Sequence, residues 1–333
     1  MSKIVVVGSS NTDLIIKLDR IPQPGETVLG GEFATAAGGK GANQAVAAAR
    51  AGGEVIFIGR VGRDSMGEQA VAGFVRDGIN VDYVARDHTS PSGVALIFVA
   101  KDGENSIAVA SGANGKLATT DVFKAESVMR DAGILVLQLE TPLKTVQMAA
   151  ELARATGVKV LLNPAPARDL PFDLLRHVYV LTPNENEAEM LTGIEVRDEA
   201  TAAQAAERLL ELGVENVIIT MGNRGAFVMG KDLRQHLPAC PVNAVDSTGA
   251  GDVFNGTLAV ALTEGRSLLE AAQFASVAAA ISVTRMGAQT SIPQRKEIDE
   301  YIALHQPFAT ARRTSVKKQP AGTGNGANYS ICT

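Results

Sequence analysis

The 333-residue chain has no tryptophan, two cysteines, four histidines and no long apolar run. Each shortage excludes something. Without tryptophan, and with an aromatic content of 4%, stacking platforms for nucleic acid are poorly supplied. A net charge of −5 argues against a nucleic-acid or anionic-membrane surface. Cys240 and Cys332 cannot build a disulfide framework, so a reducing cytoplasm is the expected compartment. The histidines are scattered, with no His-Glu-x-x-His and no paired Cys-x-x-Cys, which disfavours a metal hydrolase. No stretch approaches the roughly 20 apolar residues that span a bilayer. The apolar run over residues 4–7 is too short for a secretory signal. Residues 306–333 carry four basic residues (Arg312, Arg313, Lys317, Lys318) and no acidic one. Removing those four positive charges from −5 leaves −9 for residues 1–305. The stretch has little periodicity and is expected to be a disordered basic tail.

What the chain does have is glycine, 33 residues of it, much of it clustered. The most informative cluster is Asp246-Ser247-Thr248-Gly249-Ala250-Gly251-Asp252. Two carboxylates bracket a turn of small residues, and an apolar helical pattern follows at once. If a helix begins here, the uncovered N–H groups and its dipole form an anion site, and Asp252 stands inside it. In isolation an Asp at a helix start is more often an ordinary N-terminal residue. The other reading is a base beside a pocket for developing negative charge, as phosphoryl transfer requires.

The remaining chain weighs on that choice. Residues 3–8 read as a buried strand ending in Ser9-Ser10-Asn11-Thr12-Asp13. Polar residues at a strand end are placed where open α/β sheets bind ligands, although turn chemistry would use the same residues. A strand resumes over 14–18, and 27–29 and 32–36 look extended. Gly38-Gly39-Lys40-Gly41-Ala42-Asn43-Gln44 then leads into a small-residue helix over 45–51. It is not a Walker A loop, because Gly41 stands where Ser or Thr should follow the lysine, and it is not a dinucleotide fingerprint. A strand over 55–58 precedes a helix capped by Ser65 and running to 76. Segments 93–99 and 106–110 flank Lys101-Asp102-Gly103-Glu104, a hairpin signal. The short strands without intervening helices, about 11–36 and 93–110, predict a small β-sheet that closes over the main one as a lid.

From about residue 117 strands and helices alternate: helices over 120–130, 142–156 and 199–212, strands over 134–139, 158–162, 178–181 and 216–220. This predicts a parallel sheet with helices on both faces. Polar clusters recur at the strand C-termini: Glu140, then Asn163, then Asn184 and Glu187, then Met221 to Gly225. They should converge along one edge. Helical patterns over 249–263 and 268–283, a loop over 285–291 and a helix over 293–305 close the chain.

These residues carry a resemblance. The cluster Gly38–Ala45 and the later Asp246–Asp252, together with Asn184-x-x-Glu187, resemble the motifs of the ribokinase-like (pfkB-type) carbohydrate kinases, over about residues 3–305. The resemblance implies a three-layer α/β sandwich with a small β lid, and transfer of phosphoryl from MgATP to a sugar hydroxyl. The segments 163–168 and 182–185 resemble the branch acting on the 5-hydroxyl of D-ribose. By the same resemblance Asp252 is the general base and the amides of Gly249, Ala250, Gly251 and Asp252 are the anion hole. Asn11, Thr12, Asp13, Gly39, Lys40, Gly41, Ala42, Asn43, Glu140 and Asp252 would hold the sugar. Asn184, Thr220, Met221, Gly222, Asn223, Arg224, Gly225, Gly251, Asp252 and Ser276 would hold the nucleotide. Glu187 would organise Mg²⁺ through water. Asp246, Thr248, Ser282, Arg285, Gly287 and Ser291 would surround an activating K⁺, Arg285 only through its carbonyl because its side chain donates. Ser247 replaces a usual threonine, and Ser276 stands where a larger histidine can pack beside adenine. A homodimer formed through the lids is implied as well. The alternatives are a kinase of 2-deoxyribose, fructose or a nucleoside such as adenosine, and a sugar-binding regulator without catalysis. The presence of Asp252 and the glycines before it speaks against the regulator.

Overall fold

The computed structural model describes residues 2–102 and 104–305; the basic tail lies outside the described residues. Along the chain the strands are β1 (Lys3–Val7), β2 (Asn11–Leu18), β3 (Glu32–Gly38), β4 (Val55–Gly62), β5 (Val84–Asp87), β6 (Gly93–Ala100), β7 (Asn105–Ala110), β8 (Ala132–Leu137), β9 (Lys159–Leu162), β10 (Val180–Leu181), β11 (Asn216–Thr220), β12 (Ala226–Gly230) and β13 (Leu233–Leu237). The helices are α1 (Lys40–Arg50), α2 (Ser65–Arg76), α3 (Thr119–Lys124), α4 (Glu126–Arg130), α5 (Leu143–Ala155), α6 (Phe172–Leu175), α7 (Glu185–Thr192), α8 (Glu199–Glu211), α9 (Ala250–Thr263), α10 (Leu268–Ser282) and α11 (Arg295–His305).

Nine strands form the main sheet in the order β13-β12-β11-β10-β9-β8-β1-β4-β5. The ladder is parallel from β11 to β5, and β12 and β13 add an antiparallel edge. Its central strands, such as β1 and β8, are apolar on both faces, as a sheet covered on both sides requires. In β1, Ile4 and Val6 join one core with α1, α9 and α10. Val5 and Val7 join another with α5 and α8. The result is a three-layer α/β sandwich. Among the described residues no helix is long and apolar enough to cross a membrane.

A separate four-stranded sheet, β3-β2-β6-β7, is built from the segments without intervening helices. β2 pairs antiparallel with β3 and parallel with β6, and β6 and β7 make the expected hairpin.

Several local readings shift. Asn11 to Asp13 belong to β2 rather than to a turn, because Asn11 pairs with Gly38 on one side and Gly93 on the other; strand pairing overrides turn preference. β4 runs on to Gly62 because residues 59–62 pair with β5. The cap of α2 is Asp64, not Ser65: its carboxylate accepts from the Gly67 N–H at 2.8 Å and also binds Ser92. The helix predicted over 120–130 is broken at Ala125 into α3 and α4. α1 begins at Lys40, inside the glycine-rich cluster. Gly39 makes this possible at φ 90°, a conformation that suits glycine; a Cβ there would stand 2.7 Å from the Asn11 nitrogen.

Candidate active site

Three helices start at one place. Lys40 opens α1, Asn184 caps α7, and Gly249 caps α9. Lys40, Asn184 and Glu187, and Gly249, Ala250, Gly251 and Asp252 all line one cavity of about 170 Å³. Strand ends supply Asn163, Ala165, Thr182 and Thr220. Helix N-termini present unpaired N–H groups and positive dipole ends. At α1 the N–H groups of Lys40, Gly41 and Ala42 are already taken by Glu140 and Ser9, so the cavity's pull on an anion comes from the start of α9, the three dipole ends and the Lys40 charge. Gly249 turns the chain into α9 in the left-handed conformation, φ 75°, and a Cβ there would lie 3.2 Å from the Ala288 Cβ.

Asp252 is buried in this positive field. Its carboxylate does not cap its own helix. Oδ2 accepts from Asn43 Nδ2 at 2.9 Å and Oδ1 from Gln44 Nε2 at 3.0 Å. Burial raises the Asp252 pKa, and Glu140 adds to the rise; the Lys40 charge and the two amides work against it without cancelling it. For Lys40, burial favours the neutral amine, but Asp252, Glu140 and Glu187 outweigh it and raise the pKa. Lys40 is therefore a cation set among carboxylates at the mouth of an anion pocket.

Among the residues that the resemblance gives to the sugar, Asn11 and Asp13 share one face of β2, both buried. Thr12 falls on the opposite face, so it can reach a ligand there only through its backbone. Burial first, then the charges of Glu140 and Asp252, push Asp13 from the ordinary 3.8 to about 6. Glu140 accepts from the Lys40 N–H at 2.9 Å and from the Ser9 hydroxyl. Gly41 and Ala42 seat α1 on β1: a Cβ at Gly41 would meet the Gly8 Cα at 2.6 Å, and the Ala42 N–H donates to the Ser9 carbonyl. Of the residues expected at the sugar, Lys40 and Asp252 line the cavity; Asn11, Thr12, Asp13, Gly39, Gly41, Ala42, Asn43 and Glu140 do not.

On the nucleotide side, Asn184 pairs with Thr220 in an isolated parallel bridge, which brings two strand ends together. Met221, Gly222, Asn223, Arg224 and Gly225 form the tight turn between β11 and β12, with Gly222–Arg224 as one 3₁₀ turn. Arg224 pairs with Glu185 at the start of α7. Ser276 is half-buried on α10, its hydroxyl donating to the Ala272 carbonyl at 2.8 Å. It does not line the cavity.

Asp246 ties two loops together. Its carboxylate accepts from Thr248 N and Oγ1 at 2.9 and 2.6 Å and from Gly287 N at 2.7 Å. The hydroxyls of Ser282 and Ser291 donate to the Ala279 and Ala288 carbonyls, and Arg285 pairs with Glu297. These side chains are thus occupied, and the Ser282 carbonyl already accepts from the Arg285 N–H at 3.0 Å; a cation here would draw chiefly on the other backbone oxygens of the two loops. That donor set fits a large monovalent ion beside the anion pocket. Glu187 is buried, and its Oε2 accepts from the Asn184 N–H at 2.9 Å. Burial raises its pKa. Its place in the cavity fits a carboxylate that holds Mg²⁺ through water.

Some residues of the site went unread in the sequence. Gln44 was visible only as the end of a glycine-rich run. Asn114 donates to Asn11 Oδ1 at 2.7 Å and exchanges hydrogen bonds with the Ser10 backbone. Gln289 donates to Asn43 Oδ1 at 3.1 Å, and its carbonyl accepts from Arg50 at 2.6 Å. No local signal could have found Asn114 or Gln289, because their partners lie about a hundred or more residues away.

Comparison with known proteins sharpens this picture. The model of the pfkB family carbohydrate kinases matches residues 1–295. A ribokinase of Haemophilus influenzae is 46% identical over 299 residues, covering 90% of this chain and 98% of that one. A deoxyribokinase of Salmonella typhi is 40% identical over 304 residues, covering 91% and 99%. The structure of Arabidopsis thaliana ribokinase complexed with ribose and ATP superposes with a TM-score of 0.83 at 34% identity, covering 90% of this chain and 98% of that one.

Proposed function

The chain belongs to the pfkB family of carbohydrate kinases, and on that premise we propose that it transfers the γ-phosphoryl group of ATP to the 5-hydroxyl of D-ribose, giving D-ribose 5-phosphate and ADP. The enzyme is a phosphotransferase with an alcohol as acceptor. The observation that carries the reading is a buried carboxylate, Asp252, in the cavity where three helix N-termini meet.

Asp252 takes the proton of the sugar hydroxyl as its oxygen attacks phosphorus, and ADP leaves with the bond's electron pair. The amides of Gly249 to Asp252 face the charge spreading over the transferring group, so the protein works by positioning and electrostatics. Lys40 adds a fixed positive charge at the same place. Asn11, Asp13, Asn43 and Glu140 hold the sugar: carboxylates accept from its hydroxyls, and amide nitrogens donate. Glu187 would hold Mg²⁺ through water, and the ion when bound neutralises charge on the triphosphate. The backbone oxygens of residues 246, 248, 282, 285, 287 and 291 would hold K⁺, whose role is to stiffen the loops flanking the anion pocket. The small sheet would close over the sugar as a lid. It exposes Phe33 and Leu96 on one face and Ile107 and Val109 on the other, the face that carries Asn11 and Asp13, each 47% or more accessible; this apolar exposure supports a homodimer formed through the lids. A cytoplasmic location fits the scarcity of cysteine.

The test is ADP formation with MgATP on ribose, 2-deoxyribose, fructose and adenosine, each with and without K⁺. Ribose should be turned over fastest, and K⁺ should raise the rate. Faster turnover of 2-deoxyribose would favour the activity named for the Salmonella relative, and no turnover of ribose would overturn the assignment.

A further inference from the structure

Beside Asp252 lies a set of buried amides that the proposed reaction does not use: Gln44 and Gln138 lie off the cavity, and Asn163 lines it. Gln44 is fully buried and does not line the cavity. Its Nε2 donates to Asp252 Oδ1 at 3.0 Å and to Asn163 Oδ1 at 3.1 Å, and its Oε1 accepts from Gln138 Nε2 at 2.7 Å. An amide nitrogen has two hydrogens, and both are used. Asn163 is fixed in turn, because its Nδ2 donates to the Thr182 carbonyl at 3.2 Å. The orientation of Gln44 is therefore determined by two acceptors: reversing its amide would set oxygen against Asp252 and Asn163. Four elements meet here: α1, α9 and the ends of β8 and β9.

We propose, building on the kinase reading above, that Gln44 is a positioning residue for Asp252: its rigidly oriented amide holds the carboxylate in place and in its proton-accepting form. The physical need is clear. A carboxylate in this buried place tends to take up a proton, and a protonated Asp252 cannot act as a base. The charged groups that act on it are Lys40 from α1, Glu140 after β8, Asp13 on β2 and Glu187 on α7. Three of these are acids that disfavour its charge. Lys40 favours it, but lines the cavity, where substrate phosphates compete for the same ammonium. Asn43 favours it too, but it is among the residues assigned to the sugar. Gln44 is the donor to Asp252 that neither lines the cavity nor is assigned to a substrate. Hydrogen bonds to the charged form stabilise that form.

The test uses the full-length enzyme with two substitutions. Gln44→Met removes the donor while keeping the volume. Gln44→Glu keeps the shape and, when protonated, can donate to Asp252 while accepting from Gln138, losing only the bond to Asn163, so it guards against a Met variant that does not fold. At saturating sugar, kcat reports the complex with substrate bound. In Gln44→Met, kcat should fall about 10-fold and its acidic limb should move up by about one pH unit, since a hydrogen bond to a charged group is of that size. In Gln44→Glu the limb should move further up, because two carboxyls then share a proton. The sugar KM should change less than about 3-fold in both, because Gln44 does not face the sugar. A purely structural role would lower Tm and leave the limb in place. The ¹³C shift of the Asp252 carboxyl, followed against pH without substrate, should show the same upward displacement. That measurement separates the two readings: absence of ribose turnover in the unsubstituted enzyme defeats the ribose assignment, while an unmoved Asp252 titration in a folded variant defeats the role given to Gln44.

Discussion

Asp13 shows how much a single residue's surroundings decide. In the sequence Asn11 and Asp13 are equally good turn residues. In the fold they are neighbours on one buried strand face, and Asp13 titrates near 6 because of burial and the charges of Glu140 and Asp252. Two consequences follow from one shift. In the sugar-holding role proposed for Asp13 the ionised form is the one that accepts from hydroxyls, so kcat/KM for the sugar should fall as pH drops through about 6. Asp13→Asn should lose roughly 10- to 100-fold in kcat/KM at pH 7, the cost of a hydrogen bond to a charged group, and should lose this pH dependence. The sign for stability is opposite. A carboxyl whose folded pKa exceeds its unfolded one binds more protons when folded, so its contribution to stability is greatest at low pH and is lost as pH rises through about 6. Asp13→Asn should therefore be more thermostable than the unsubstituted protein at pH 7, and that advantage should shrink towards pH 4. A thermal melt series for both proteins checks this. Asp252 was legible as a motif residue, but its partners were not. Its hydrogen bonds come from the side chains of α1, and no spacing within residues 246–252 could have shown that.

At the scale of elements, α1 and α9 are the pair that matters. α9 is apolar all round, as a helix buried between neighbours must be, and only its N-terminus reaches the cavity. Gly256 lets α1 approach it: a Cβ there would lie 2.3 Å from the Gln44 carbonyl oxygen and 2.7 Å from the Ala47 Cβ. Ordinarily Gly→Ala stabilises a helix. Here Gly256→Ala should destabilise by about 1–3 kcal/mol through overpacking, and it should lower kcat as well, because the displaced residue carries the donor to Asp252. Chemical denaturation and steady-state kinetics read the two effects. Elements with long periodic patterns, such as α8, α9 and α10, were legible to within a residue or two at each end. β11 matched at both ends. The misplacements came where distant chain decides. α1 starts early because Gly39 fits against Asn11, β4 runs long because β5 pairs with it, and β2 absorbs a stretch of turn-forming residues.

For the whole molecule, the convergence of strand ends along one sheet edge could be read from the β–α alternation. The meeting of three helix N-termini on one cavity could not, since it depends on how the layers pack. The small sheet is similar: its strands were legible, and its apolar exposure is a fact of the fold. If the lids form the dimer, Ile107→Asp with Val109→Asp should convert a dimer into a monomer. Sedimentation velocity reads the change, and an unaltered dimer would place the interface elsewhere.

The central claim is that Asp252 is the base of a phosphoryl-transfer site. It is tested most directly by comparing kcat of Asp252→Asn with that of the unsubstituted enzyme on ribose, at equal Tm and equal nucleotide affinity. A loss of roughly 10²- to 10⁴-fold is expected, the usual size of general-base assistance. A variant that folds, binds ATP and retains near-full rate would contradict it.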